Sequence, residues 1–333
     1  MTGLIPIVTT DNSPSRSLVI ADSGVLPATL GPELDQAVGY ARAEKSAATR
    51  RAYRSDFALF RAWCGAKQVT SLPAQPETVA AFLAAEANRG AKPSTIGRRL
   101  AAIRYAHKLA GHEPPTNSEA VKATLRGIRR MTGSAPAHKA PATADKIVAM
   151  VTMAGNDPKG LRDRALLLLG FAGAFRRSEL VALDFADLEF CSGGLRVTIQ
   201  KSKTDQEGLG ATIAIVPGSI ACPVEATRNW IEAAGITDGP LFRPIGRSGR
   251  IIARQLSDRA VAEVVKAHAH RIGLNAADFS GHSLRSGFLT SAARQGASIF
   301  KMMDVSRHKS VDTLRGYVRD AELFRDHAGS GLL

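Results

Sequence analysis

The stretch TGSAPAHKAPAT, residues 132–143, constrains this chain more than any other. No helix of any length runs through Pro136 and Pro141, because proline lacks the amide proton a helix interior needs and its ring clashes with the preceding turn. The Ala, Ser, Gly and Pro content is that of an extended linker. A chain of 333 residues divided there leaves two pieces, each long enough to bury a core of its own. The expected organisation is a loose tail at 1–32, a helical domain at 33–131, the linker at 132–143, a second domain at 144–318 and a C-terminal tail at 319–333.

Ser46 is placed to cap a helix in which Tyr53, Phe57, Phe60 and Trp63 recur at spacings of four, three and three, which is one helical face. Pro76 and Gly90 bracket a second helix at about 76–89, and Ser94 and Gly111 a third at about 95–110. A fourth, at about 118–131, ends in LRGIRRM. The aromatic face reads as core rather than as a platform for stacking bases. Beyond the linker, helices are expected at about 143–153, 159–173, 223–234, 257–272, 282–294 and 310–318. LRVTIQK and ATIAIVP, rich in β-formers, flank the polar SKTDQEGLG and read as a hairpin. The fold class is therefore mainly α: a four- to five-helix domain, then an α+β domain that is mostly helical with a small antiparallel sheet or hairpin.

Charge narrows the partner. The net charge is +14, and residues 37–130 hold 17 Lys and Arg against 6 Asp and Glu, while residues 1–36 hold 1 against 4. An excess gathered in one helical domain attracts a polyanion, and nucleic acid is the commonest. Cys64, Cys191 and Cys222 are far apart and odd in number, which suits a reducing cytoplasm rather than a disulfide framework. The longest apolar run, ALLLLGFAGAF at 165–175, is too short to span a bilayer, and the opening MTGLIPIVTT lacks the basic start of a signal peptide. A cytoplasmic protein without membrane contact is expected. Neither HExxH nor a phosphate loop ending in GK[ST] occurs, and the HAH at 268–270 sets its histidines two apart, where a helix faces them away from each other. No metal and no cofactor is expected.

Four short motifs in the second domain share one theme: AFRRSEL around Arg176, KSK around Lys203, GHSLRSG around His282 and Arg285, and SRHKS with Tyr317 nine residues after His308. A phosphodiester under attack passes through a five-coordinate phosphorus whose extra negative charge needs fixed cations, and arginine forks match its oxygens. His282 and Arg285 are three apart on a predicted helix and share a face. Taken singly, Arg176 reads as surface charge, His282 as a cap, His308 as a loop residue, Tyr317 as core filling, and Lys201 and Lys203 as edge charges that discourage strand pairing. Their joint order is what points to phosphoryl transfer.

On these motifs the chain resembles the tyrosine recombinases, or phage-type integrases, over roughly residues 34–328. GAFRRSEL is similar to the family's G-L-R-x-S-E-L box with Phe175 in place of Leu, a register that selects Arg176 over Arg177 and makes Glu179 its supporting carboxylate. GHSLR matches the H-x-L-R box, and SRHKS with Tyr317 matches the final histidine and the nucleophile. PAQPETVAAFLAAEANRGAKPSTIGRRLAAIRYAHKLAG resembles the DNA clamp of the Cre-like branch, and QKSKTD its lysine hairpin, with Lys203 favoured over Lys201. His308 departs from Cre itself, which has tryptophan there.

The resemblance implies a site-specific recombinase of bacterial, phage or plasmid origin that closes two domains around double-stranded DNA as a C-shaped clamp, dimeric on one site and tetrameric in the synapse. It implies Tyr317 as nucleophile, Arg176 and Arg285 as stabilisers of the phosphorane, Lys203 as general acid, His308 as a donor to a phosphate oxygen and His282 as helper in deprotonating the tyrosine. Two rival readings remain at this point. One is a type IB topoisomerase using nearly the same residues, and the other is a DNA-binding accessory factor without catalysis.

Overall fold

The computed structural model describes residues 33, 36–37, 39–41, 44–133, 139–200 and 210–321, with the backbone alone for 319–321. The chain divides into two compact units, Met1–Pro136 and Ala137–Leu333.

In the first unit the helices α1 (Ala47–Ala66), α2 (Pro76–Asn88), α3 (Pro93–Leu109) and α4 (Glu119–Thr132) share one core. Their starts follow local chemistry. The Ser46 hydroxyl accepts from the Thr49 amide at 3.2 Å, Pro76 and Pro93 occupy first turns where no amide proton is needed, and Ser118 caps α4. The aromatic face of α1 turns inward: Phe60 is fully buried and meets Phe82 edge-on at 5.0 Å, with Trp63 5.5 Å from the same ring. Two carboxylates are buried with it. Asp56 on α1 takes two bonds from Arg98, at 2.7 and 3.0 Å, and Glu86 on α2 pairs with Arg89 and Arg99. Some of this unit's positive charge is thus committed to holding α1, α2 and α3 together.

The second unit is built around α6 (Pro158–Ala172), whose apolar second half, Ala165–Gly170, is buried on every side as a central helix has to be. Its Leu166, Leu167 and Leu169 are fully shielded, each such burial contributing about 1.5–3 kcal/mol. Around it stand α5 (Ala144–Thr152), the short α7 (Arg177–Val181), α8 (Pro223–Ala233) and α9 (Asp258–Arg271). A three-stranded antiparallel sheet, β1 (Leu188–Cys191), β2 (Gly194–Ile199) and β3 (Ala211–Ile215), runs in the order β1-β2-β3 with Leu195 opposite Ile215 and Leu188 opposite Val197. The expected hairpin is β2 and β3. The strand β1 is an addition, four residues long and half exposed, too short to show a period.

The last three helices, α10 (Ser283–Arg294), α11 (Ile299–Ser306) and α12 (Val311–Ala321), enclose a smaller cluster of Leu289, Ala293, Met302 and Leu314. Sequence periodicity missed α11, whose eight residues make barely two turns. Residues 139–143, read from sequence as linker, lie against this unit. The Ala140 amide donates to Asp278 O at 2.7 Å and the Ala142 amide to Ser283 O at 2.9 Å. A β-carbon at Gly287 would collide with the Ala142 backbone, which is why the turn after Arg285 carries glycine. Among the described residues no helix is long and apolar enough to cross a membrane.

Candidate active site

Arg176 follows the turn Gly173–Ala174–Phe175 that ends α6 and opens α7. A β-carbon at Gly173 would strike the Phe175 ring, and Ala174 takes φ 45°, a left-handed conformation uncommon outside glycine. That turn aims the Ala174 carbonyl inward. It also sets Arg176 three residues before Glu179, which is 3% exposed. Glu179 accepts from the Arg176 amide at 3.0 Å through one oxygen and from its guanidinium at 2.5 Å through the other. Arg177 goes elsewhere: it is exposed and pairs with Asp258 at 3.2 Å.

Arg285, on the first turn of α10, is 1% exposed, and its Nη1 donates to Ala174 O at 2.7 Å. Burial, with Arg176 and Arg307 nearby, lowers its guanidinium pKa to about 9, so it remains charged at neutral pH. Its Nη2 lies 3.2 Å from both ring nitrogens of His308. The His308 ring is oriented by Ser306, whose hydroxyl gives its one proton to Met302 O at 2.6 Å and lies 2.8 Å from Nδ1. A hydroxyl so committed can only accept from the ring, which puts the proton on Nδ1 and leaves Nε2 with its lone pair. Burial and the surrounding cations, Arg285 and Arg176 first, push the His308 pKa down to about 4, and the ring is neutral.

Tyr317, on α12, is half-buried against the cluster of Leu289, Met302 and Leu314. Burial raises its hydroxyl pKa and the Arg285 charge opposes that rise, so the two groups are electrostatic neighbours. His282 sits exposed at the N-terminal end of α10, its amide bonded to Ser280 Oγ at 3.2 Å, and its charge is felt at His308. Lys201 and Lys203 lie outside the described residues. His268 of the HAH motif is buried and bonded to Met150 O at 3.2 Å and Asp163 at 3.3 Å.

Sequence reasoning missed Ser306 and Arg307. Arg307 Nη2 pairs with Glu179 Oε2 at 2.8 Å and reaches Ala174 O at 3.3 Å, while its guanidinium lies over the Phe175 ring at 5.2 Å. The run SRHKS contained them, but a serine and an arginine beside a histidine carry no period or spacing that marks a role. With Arg307 included, three guanidiniums gather around the single carboxylate of Glu179. Such an excess of fixed positive charge, partly shielded from water, suits an anion that gains negative charge as it reacts.

The chain is similar to known proteins along most of its length. Residues 142–323 match the Phage integrase family, and residues 40–113 match its N-terminal SAM-like domain. The chain is 40% identical over 295 residues to an integrase/recombinase xerD homolog of Selenomonas ruminantium, covering 86% of each chain. It is 27% identical over 283 residues to the recombinase cre of Escherichia phage P1, covering 78% of this chain and 80% of that protein. Among solved structures it resembles the Tn1549 transposon integrase in complex with transposon right end DNA, with TM-score 0.60 and 13% identity over 86% of this chain and 96% of that one. It also resembles the XerH site-specific recombinase bound to palindromic difH substrate, with TM-score 0.58 and 17% identity over 78% and 72%. At these identities the structures speak for the fold.

Proposed function

The chain belongs to the phage integrase family, and from that membership we propose that it is a tyrosine-type site-specific recombinase, cutting and rejoining double-stranded DNA and exchanging strands between two duplexes. The observation that carries this reading is the junction at the Ala174 carbonyl and Glu179, which gathers Arg176, Arg285 and His308 beside the helix bearing Tyr317.

The Tyr317 oxygen attacks the scissile phosphorus, forming a 3′-phosphotyrosyl bond and expelling the 5′ oxygen of the next nucleotide. Burial makes the phenol a poorer acid than in water, so its proton needs an acceptor, and His282 is assigned that task. Arg176 and Arg285 offset the charge that builds on the phosphorane. His308 is neutral before DNA arrives. A phosphate beside it favours the protonated ring, whose Nε2–H then donates to a phosphate oxygen. Lys203 delivers the proton that the leaving 5′ oxygen takes up. A 5′-hydroxyl from the partner duplex reverses the same steps, so the energy of the first phosphodiester is conserved and ATP is not consumed. The protein works in the cytoplasm, as a dimer on one site and a tetramer when two sites are paired.

Incubation with a nicked duplex carrying the recombination site, which lets the cut strand diffuse away, tests the reading. A detergent-resistant protein–DNA adduct mapping to Tyr317, formed in excess EDTA, is expected. An adduct on another residue, or cleavage that stops with the chelator, overturns it.

A further inference from the structure

We infer that Arg307 is a positioning residue for strand cleavage, holding Glu179 and the Ala174 carbonyl, and through them the guanidiniums of Arg176 and Arg285, without touching DNA. The inference rests on the cleavage reading above and assigns a task to a residue outside the set read from the sequence.

The backbone is the first indication. Arg307 closes α11 at φ 57° and ψ 39°, a left-handed cap that glycine adopts at no steric cost and an arginine does not. A residue kept there against that cost is kept for its side chain. The side chain is 9% exposed and does not turn toward solvent. Its Nη1 donates to Val305 O at 2.6 Å and Gly173 O at 3.1 Å, and its Nη2 to Glu179 and Ala174 O. Both terminal nitrogens are engaged within the protein, and the buried Nε has no partner among the described residues. A guanidinium so used has no fork to offer a phosphate.

What it holds is the second indication. Ala174 O accepts from Arg285 Nη1 as well as from Arg307 Nη2, and Glu179 divides its oxygens between Arg176 and Arg307. Remove Arg307 and the buried carboxylate keeps Arg176 alone, free to draw that guanidinium toward itself. The Ala174 carbonyl at the same time loses one of two donors that fix its direction. Both arginines assigned to the phosphorane then lose a support, although neither touches position 307.

Electrostatics supplies a signature. Burial pushes the Glu179 carboxyl up, and Arg307 and then Arg176 override it, holding the group below its usual range. The charged groups facing Glu179 are Arg176 on its own helix, Arg307 at the end of α11 and Arg285 on α10. Arg285, at about 9, stays charged through the acid range, while His308, which also feels Arg307, titrates at about 4. Loss of Arg307 therefore raises the pH at which Glu179 takes up a proton, and replacing Glu179 by glutamine removes that response.

The test uses the full chain with Arg307→Gly, Arg307→Lys and each combined with Glu179→Gln. Half-site binding and the rate of covalent capture on a nicked duplex are measured from acid to neutral pH. Both single variants are expected to bind the half-site as wild type does. Arg307→Gly, despite relieving the left-handed backbone, cleaves about 100-fold more slowly, the size of effect a misplaced catalytic group produces. Its acid limb moves to higher pH, and the Glu179 part of the shift is lost in the Glu179→Gln background, leaving only the smaller response of His308. Arg307→Lys restores the limb, having the charge, but recovers the rate in part, having one ammonium instead of a fork. Wild-type rate and limb in Arg307→Gly overturn the inference. Weakened half-site binding with unchanged capture from the bound state would place Arg307 on DNA and overturn it too. Slow capture with an unshifted limb would leave a purely structural role and likewise overturn it. Failure of wild type to form any adduct, by contrast, sinks the recombinase reading itself and the inference with it.

Discussion

The hydroxyl of Ser306 lies 2.8 Å from Nδ1 of His308 and gives its own proton to the Met302 carbonyl, so a fully buried serine decides which histidine nitrogen carries hydrogen. Ser306→Ala removes that decision without adding bulk. Half-site binding should be unaffected and covalent capture should fall about 10-fold, the low end of what losing a histidine's orienting partner does elsewhere. An unchanged capture rate would show that the ring is oriented by Arg285 alone.

Tyr317→Phe keeps the ring packed on Leu289, Met302 and Leu314 and deletes only the hydroxyl. The variant is expected to melt and bind DNA as wild type does and to form no covalent complex on nicked duplexes. Calorimetry and gel shift check the first part, and a detergent gel the second. An adduct trapped by this variant would move the nucleophile elsewhere.

Adjacent arginines should behave oppositely. Arg176→Ala strips Glu179 of a buried partner and should abolish capture, whereas Arg177→Ala breaks a half-exposed pair with Asp258 worth about 0–1 kcal/mol. Capture rates of the two alanine variants on one substrate, compared side by side, test the register. Loss of capture in Arg177→Ala with activity retained in Arg176→Ala would reverse the assignment.

The two lysines between β2 and β3 differ by two positions and lie outside the described residues, so chemistry has to separate them. A general acid matters when the leaving group is poor, and an alkoxide is far poorer than a thiolate. Replacing the bridging 5′ oxygen with sulfur should restore capture to Lys203→Ala and do little for Lys201→Ala. The reverse pattern would make Lys201 the proton donor.

The first unit should weaken in mild acid. His107 is fully buried and neutral, its Nδ1–H donating to Ile103 O at 2.8 Å and its Nε2 accepting from the Ala74 amide at 2.9 Å. Burial lowers its pKa below the ordinary value of about 6.5. An unfolded chain takes up the proton first, so the stability from His107 is fully present above the ordinary pKa and is lost as pH falls from there toward the folded pKa. Hydrogen exchange of α1 to α4 in the full chain should accelerate over that window, and His107→Gln should flatten the dependence. Exchange in wild type that does not change with pH over that window, after correction for intrinsic rates, would contradict it.

What the sequence determines here is whatever depends on neighbours along the chain. Helix starts at Ser46 and Pro76, the inward aromatic face of α1 and the β2–β3 pairing follow from caps, proline geometry and periods of 3.6 or 2, which are local rules, while α3 begins at Pro93 rather than after Ser94. The motif residues Arg176, His282, Arg285, His308 and Tyr317 stand out by type and joint order, and Glu179 only through the family resemblance. Where local signals are short they fail, as for β1, α7 and α11, which have four, five and eight residues.

Tertiary structure decided the rest. That Ala140 and Ala142 bond to Asp278 and Ser283 follows from where α10 lies, and composition had made them linker. That Arg307 meets Glu179 across 128 positions of sequence, and that the Ala174 carbonyl serves two arginines at once, depends on a left-handed cap and a left-handed turn being brought face to face. Periodicity reports which face of an element is apolar. It carries no information on which buried polar group will find which partner, because that is settled by the packing of elements distant in sequence, where every desolvated donor and acceptor has to be satisfied within reach.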